Sequence, residues 1–260
     1  MARADETTCR DPPHLALRPH ERDGLRGALR GPTEERKATK ERTDAVVDLA
    51  FRLTGDKIPA DHGYALLAAI SRLIPAVHGD TTIGIHPIQG RHVGHRLLAL
   101  ADRSRLVFRL DSDRIGEILP LAGQQLDLDG HRIRVGVPET RALRPAPHLR
   151  SRLVVIKGFI EPEPFLQAVQ RQLSELGIRA TPGLPVRRAS ASVEGRTLDN
   201  ARRCPYIRRT IRIRDKQVVG YAVDVTDLTA EESIVLQERG LGGRRRFGCG
   251  IFVAFKGSNG

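Results

Sequence analysis

Tryptophan is absent from this 260-residue chain, aromatics make up only 4% of it, and cysteine occurs three times. Each scarcity excludes something. With so few aromatic rings, recognition of a polymer by serial stacking has little to work with. Cys9, Cys204 and Cys249 are odd in number, far apart and without CxxC spacing, so neither a disulfide framework nor a thiolate zinc site is indicated. A reducing, cytoplasmic setting is the expectation. No apolar run approaches the roughly 20 residues of a membrane span, and the N-terminus carries no apolar signal segment, which argues against membrane insertion and secretion.

Several chemical signatures are missing as well. No Lys-Ser/Thr pair follows a glycine-rich loop, which excludes a Walker-type nucleotide hydrolase. A GxSxG elbow, a Ser/His/Asp arrangement and a carboxylate cluster for two-metal nuclease chemistry are all absent. A DNA-binding regulator is disfavoured because there is no helix-turn-helix with a basic recognition helix.

What is abundant is positive charge. Lys and Arg together number 43 against 31 Asp and Glu, a net charge of +12, and the excess is almost all arginine. A polyanionic partner follows, and the planar fork of arginine, which grips a phosphate through two hydrogen bonds, points to nucleic acid.

The chain reads as α+β. Residues 1–44 mix charges that nearly cancel, show no periodicity, and are expected to be a disordered leader or a stretch upstream of the true start. Order begins with a strand at Val46 to Leu53. A helix capped by Asp61 and ended near Pro75 follows, then strands at Ile83 to Ile88 and Leu106 to Leu110. A short helix from Ser112 to Leu121 leads into Leu126 to Val137, one long strand or a hairpin turning at Asp129-Gly130. After the Pro-rich joint Arg144-Pro145-Ala146-Pro147 the order repeats: strand Leu153 to Ile160, helix Pro164 to Leu176, strands Tyr206 to Arg214 and Val218 to Val225 joined at Asp215-Lys216, helix Thr229 to Arg239, strand Ile251 to Phe255. Two tandem ferredoxin-like (β-α-β-β-α-β) domains are therefore expected, over 45–143 and 151–260, with a linker over 144–150. The duplication lies in element order; no residue-level repeat accompanies it.

Two segments concentrate the arginine. In the first, Gly240-Leu241-Gly242-Gly243-Arg244-Arg245-Arg246-Phe247-Gly248-Cys249-Gly250, glycines flank a basic pentapeptide. Glycine permits positive φ and close backbone approach, so successive amides could converge on a phosphate beside Arg244, Arg245 and Arg246. The competing reading is a plain helix-to-strand connection with solvated arginines. The second segment, Arg187 to Arg214, holds nine arginines against Glu194 and Asp199. From Thr210 onward strict alternation puts Arg212 and Arg214 on one face and Ile211 and Ile213 on the other, with Arg208 and Arg209 just before. Such a strand suits the backbone of an RNA stem; a solvated sheet face is the alternative. Tyr206 and Phe247 lie among these arginines, with core packing and base stacking both open.

Histidine supplies the candidates for proton transfer near neutrality. His62 sits at the start of the first helix, where packing or capping competes with a role as base. His78 lies in the connection after that helix, beside Gly79. His86, His92 and His95 are close in sequence but lack carboxylate or cysteine partners at ligand spacing, so no metal site is expected, and His131 at its turn is read as ordinary.

The GhGxxxxxGhG spacing of the glycine-rich segment, with its basic centre and its place before a final strand, resembles the signature of the CRISPR-associated repeat-RNA endoribonucleases of the RAMP superfamily. The stretches Ile58-Pro59-Ala60-Asp61-His62-Gly63-Tyr64-Ala65-Leu66 and Ile83-Gly84-Ile85-His86-Pro87-Ile88 resemble the MYXAN subtype of type I systems, and the likeness covers about Val46 to Phe255. The resemblance implies cleavage of precursor crRNA within each repeat, without metal or cofactor, by attack of a ribose 2′-hydroxyl on the adjacent phosphate. It implies His78 as general base, His62 as the second choice, and Tyr64 as a group orienting ribose or phosphate. Some members add a lysine nearby; this chain has none between Lys57 and Lys157, so Arg72 or Arg91 would stand in. Its implied partners are repeat RNA and subunits of a type I interference complex, with a homodimer open. A non-catalytic RNA-binding subunit of a CRISPR effector complex is the alternative of a different class.

Overall fold

A computed structural model describes residues 45–186 and 204–255. The leader expected over 1–44 and the arginines from Arg187 to Arg203 lie outside the described residues. The fold is mixed α+β. Its first half runs β1 (Val46–Thr54), β2 (Lys57–Pro59), α1 (Gly63–Leu73), α2 (Ala76–Gly79), β3 (Gly84–Ile85), β4 (Arg91–His92), β5 (Leu97–Ala99) and β6 (Arg105–Asp111). A broken helical stretch around α3 (Ile115–Ile118) then leads to the hairpin β7 (Gln125–Leu128) and β8 (His131–Ala142). The hairpin reading of Leu126 to Val137 is thus the one observed, with Asp129 and Gly130 at positive φ in the turn.

Strand order in the first sheet is β3-β6-β1-β8-β7, with antiparallel neighbours throughout. On β1 the period of two is plain: Val47, Leu49, Phe51 and Leu53 are buried, and Leu49 and Phe51 join the core beneath α1. That helix contributes Ala65, Leu66, Leu67, Ala69 and Ile70, whereas Leu73 in its last turn is exposed. Phe51 meets Phe108 edge-on at 5.9 Å between ring centroids. A small sheet β2-β5-β4, not foreseen, sits beside this core.

The second half runs β9 (Leu149–Val154), α4 (Pro162–Glu175), β10 (Thr181–Gly183), β11 (Arg208–Ile213), β12 (Lys216–Thr226), α5 (Ala230–Arg239) and β13 (Phe252–Ala254). Its sheet runs β10-β12-β9-β13, with β11 paired to β12 as a hairpin. Thr229 closes a capping box with Glu232 at the start of α5, two reciprocal bonds that satisfy amides the helix cannot. The strand expected at Leu153 to Ile160 begins earlier, because Leu149, Ser151 and Leu153 are the inward positions and Gly158 at φ +86 belongs to a turn. Asp61 is likewise not the cap of α1: His62 holds that position, and Asp61 Oδ2 accepts a hydrogen bond from the Arg212 amide at 2.9 Å. No helix among the described residues is long and apolar enough to cross a membrane.

The halves are joined through one buried arginine. Asp48 and Arg109 are direct cross-strand partners on β1 and β6, and the guanidinium, 1% exposed, spans the carboxylate with bonds of 2.8 and 2.9 Å. Its remaining nitrogen donates to the carbonyls of Gln237, at 3.1 Å, and Phe252, at 2.7 Å, in the second half. Burial alone would raise the Asp48 carboxyl, but the hydrogen bonds and charge of Arg109 and the adjacent His86 imidazole hold it well below the usual range. His86 itself is pushed below the ordinary histidine value, chiefly by burial, although Asp48 Oδ1 lies 3.4 Å from its Nε2.

Removing one partner of such a pair strands the other charge, so Arg109→Met is expected to cost about 3–5 kcal/mol in urea unfolding. Arg150→Met, whose ion pair with Asp224 on β9 and β12 is 27% exposed on the arginine, should cost about 1 kcal/mol or less. Equal losses would contradict the assignment. Because His86 titrates below its unfolded value of 6.5, the stability of its neutral form is complete above that pH and is lost as pH falls beneath it. Asp48, depressed from 3.8, adds a second loss at more acid pH. Thermal melts across pH should show the first step shrink in His86→Asn.

Candidate active site

The hairpin β11–β12 has the alternation its sequence predicts. Ile211 is buried against Leu153, Val155 and Cys249, whereas Arg208, Arg209, Arg212 and Arg214 face outward. The Arg212 amide is tied to Asp61 just before α1, so the hairpin lies across that helix's N-terminus. Its tip turns at Arg214, φ +53, with Ile213 opposite Lys216.

That tip separates two clefts. One, of about 510 Å³, is lined by Tyr64 and Leu67 of α1, His78 of α2, Arg214, Asp215 and Lys216 of the tip, and Arg246 and Phe247 of the glycine-rich loop. It gathers two of the three expected site residues, His78 and Tyr64, with one arginine from each basic segment. His78 is exposed on the turn set by Pro75, whose carbonyl accepts its amide at 3.0 Å. The other cleft, of about 530 Å³, shares Tyr64, Arg214 and Asp215 and adds Asp61, His95, Arg96, Asp129 and Arg212.

His62 is placed differently. It is 3% exposed; Nδ1 donates to the Pro59 carbonyl at 2.9 Å and Nε2 accepts from the Ile88 amide at 2.9 Å. Both nitrogens are occupied by backbone, and burial lowers its pKa, so it is held neutral as a staple between two loops. Its packing role, open in the sequence, is the one this geometry accommodates.

The glycine-rich loop also differs from the expected amide cradle. The amides of Gly240, Leu241, Gly242, Gly243, Phe247, Gly248, Cys249 and Gly250 all donate to protein acceptors, among them Leu153 of β9, Val155 just beyond it and the side chain of Gln172 on α4. The glycines serve close approach instead. A Cβ on Gly240 would lie 2.2 Å from the Gly250 carbonyl oxygen, and one on Gly250 would lie 2.1 Å from that of Leu241. The folded loop sends its arginines three ways. Arg244 is exposed toward a groove beside α4. Arg245 turns inward, donates to the Arg239 carbonyl, and is lowered to about 10 by burial and by the neighbouring Arg109 and Arg239. Arg246 enters the His78 cleft. Charge for an anion therefore comes from side chains, with Arg245 holding the loop.

Lys216 is the residue that sequence reasoning missed. Neither Arg72 nor Arg91 lines the His78 cleft, but Lys216 does, carried there by the hairpin. Its place in a tight turn was legible; that the turn folds back onto α1 was not. Among the described residues no three His, Cys, Asp or Glu side chains are grouped to hold a metal ion.

Known proteins agree with this architecture. The family model described as Cas6 Crispr matches residues 47–257. The CRISPR-associated endonuclease Cas6 of Myxococcus xanthus (strain DK1622) is 36% identical over 207 residues, which cover 80% of each chain. Two solved structures share the fold at 12% identity: a CRISPR associated protein Cas6, with a TM-score of 0.54 over 81% of this chain and 100% of that one, and a Cas6-related protein from Pyrococcus furiosus, at 0.55 over 82% and 100%. With the family match running from β1 through β13 and the Myxococcus relative well above chance likeness, the chain belongs to the Cas6 family of CRISPR-associated proteins.

Proposed function

We propose that this chain is an endoribonuclease that cuts precursor crRNA within its repeats, and that it does so without a metal ion. The observation that carries the reading is the His78 cleft, where an exposed imidazole, a tyrosine and three cations meet against one carboxylate, Asp215. The Myxococcus relative is named an endonuclease, and family membership supports the same activity here. We read the two halves as tandem ferredoxin-like domains divided at 144–150, because each sheet places its second, third, first and fourth strands of the shared plan in the same order.

In this reading the 2′-hydroxyl gives its proton to His78 Nε2 or Nδ1 as its oxygen bonds to the adjacent phosphorus. The bond from phosphorus to the 5′ oxygen then breaks, leaving a 2′,3′-cyclic phosphate and a 5′-hydroxyl. The phosphorane carries extra negative charge, which the Lys216 ammonium and the Arg246 guanidinium are placed to stabilise. Lys216 also supplies the proton that the departing 5′ oxygen takes up. Tyr64 orients the ribose. Arg208, Arg209, Arg212 and Arg214 follow the phosphate backbone along the hairpin, and Arg244 extends the basic surface beyond the loop. His62, with both nitrogens engaged, is not assigned the proton transfer.

Repeat RNA incubated with the protein in EDTA should be cut when the ribose at the cleavage site is natural and left intact when it is 2′-deoxy. His78→Ala should slow cutting by about 10²–10⁴-fold and Lys216→Ala by about 10²–10³-fold, each with binding changed less than about twofold. Lys216→Arg should recover part of the loss. Tight binding with no cutting by the unmodified protein would establish the non-catalytic subunit instead, and absence of binding would remove the RNA assignment altogether. Arg212→Ala and Arg214→Ala should each weaken binding and lower the slope of log K against log salt by about one.

A further inference from the structure

The second cleft, across the hairpin tip from His78, differs from the first in chemistry. In the first, Arg214, Lys216 and Arg246 face the single carboxylate of Asp215. In the second, Arg96, Arg212 and Arg214 are matched one for one by Asp61, Asp129 and Asp215, with His95 beside them. Inside this cleft a phosphate gains less than in the first, because each cation has a carboxylate to match it, while the arginines' outer faces stay open to the RNA backbone. The edge of a nucleobase can use both signs, because its amino group donates to a carboxylate while its ring nitrogens and carbonyls accept from arginine or histidine.

The backbone there is built for presentation. Gly94, His95 and Arg96 take φ of +84°, +45° and +59°, a left-handed run that two of the three residues adopt against their preference. The turn is closed by the Leu97 amide on the Gly94 carbonyl at 2.8 Å, and it is fixed to the start of the α1 region by the Ala60 amide on the Arg96 carbonyl at 2.7 Å. Asp129 faces it from the β7–β8 turn, also at positive φ. Tyr64, 38% exposed, lies on the wall common to both clefts and offers a ring beside the junction.

We infer that this second cleft reads an unpaired, amino-bearing base of the RNA next to the phosphate under attack. The inference rests on the function proposed above and adds the recognition that would set which phosphate is presented. RNA sequence is read mainly on unpaired bases, since the edges in an A-form stem are out of reach. A volume of about 530 Å³ is within the range of small-ligand sites, roughly 300–1,000 Å³.

The test is a double-mutant comparison on repeat RNA blocked by a 2′-deoxy ribose at the cut and made abasic at one unpaired nucleotide at a time. With the unmodified protein, one abasic position beside the cut should weaken binding by about tenfold. In Arg96→Asn and in Asp129→Asn, replacements that tolerate positive φ, binding of the intact RNA should weaken similarly and the same abasic change should cost less than about twofold. A protein that binds and cuts the repeat yet ignores every abasic substitution, or variants that keep the full abasic penalty, would overturn this inference and leave the proposed nuclease intact. A protein that neither binds nor cuts the repeat would overturn both.

Discussion

The glycine-rich loop that lines the His78 cleft depends on the C-terminal end of α5, and that end is held by arginines from two directions. The last carbonyls of a helix have no partner within it and carry partial negative charge, so a buried guanidinium there is doubly favoured. Arg109, fixed on the opposite sheet by Asp48, reaches the Gln237 carbonyl, and Arg245, from the loop that follows the helix, reaches that of Arg239. Arg109 also bonds the Phe252 carbonyl on the strand beyond the loop. The start and the end of the glycine-rich segment are thus anchored to one side chain of the other half. A buried pair of this kind adds little net stability over apolar packing, but it admits only one arrangement of its partners.

With its ends fixed, the loop has to close on itself, and the glycines follow from that closure. Gly240 lies against the Gly250 carbonyl and Gly250 against that of Leu241, and Phe247 seats its own carbonyl against Gly63 at the start of α1, where a Cβ would lie 2.9 Å away. The loop therefore sets the distance between Arg246 and the helix that carries Tyr64. The amides of the motif are spent on that closure, and its outward charge lies on the side chains of Arg244 and Arg246.

Much of this was legible wherever a local period carried it. The alternation of Ile211, Arg212, Ile213 and Arg214 shows both faces of the hairpin, and Thr229 with Glu232 marks the start of α5, because each signal is complete within a few residues. The first strand of the second half was misplaced because Arg150 looks like loop, whereas it is an outward position paired across the sheet with Asp224. The sheet β2-β5-β4 has strands of two or three residues, too short to show a period. Histidine roles divided along the same line: whether His62 had free nitrogens depended on Pro59 and Ile88, and whether His78 had a cation depended on Lys216, contacts that only the tertiary fold creates.

The same distinction applies to contacts that the two sheets share without any likeness in sequence register. Each sheet carries an Asp–Arg cross-strand pair with a histidine beside the carboxylate: Asp48 and Arg109 with His86 in the first half, Asp224 and Arg150 with His148 in the second. The acid lies on the first strand of one half and the third strand of the other, so alignment of the two sequences in register would never match them. Their surroundings differ too. Arg109 is sealed at the joint between halves, whereas Arg150 stacks over Phe255, 3.4 Å from its centroid, and keeps part of its surface in solvent. Only one of two similar sheets has its pair committed to the partner half. The loop that it anchors sends Arg246 and Phe247 into the lining of the His78 cleft, so the sealed pair and that cleft lie at the same joint.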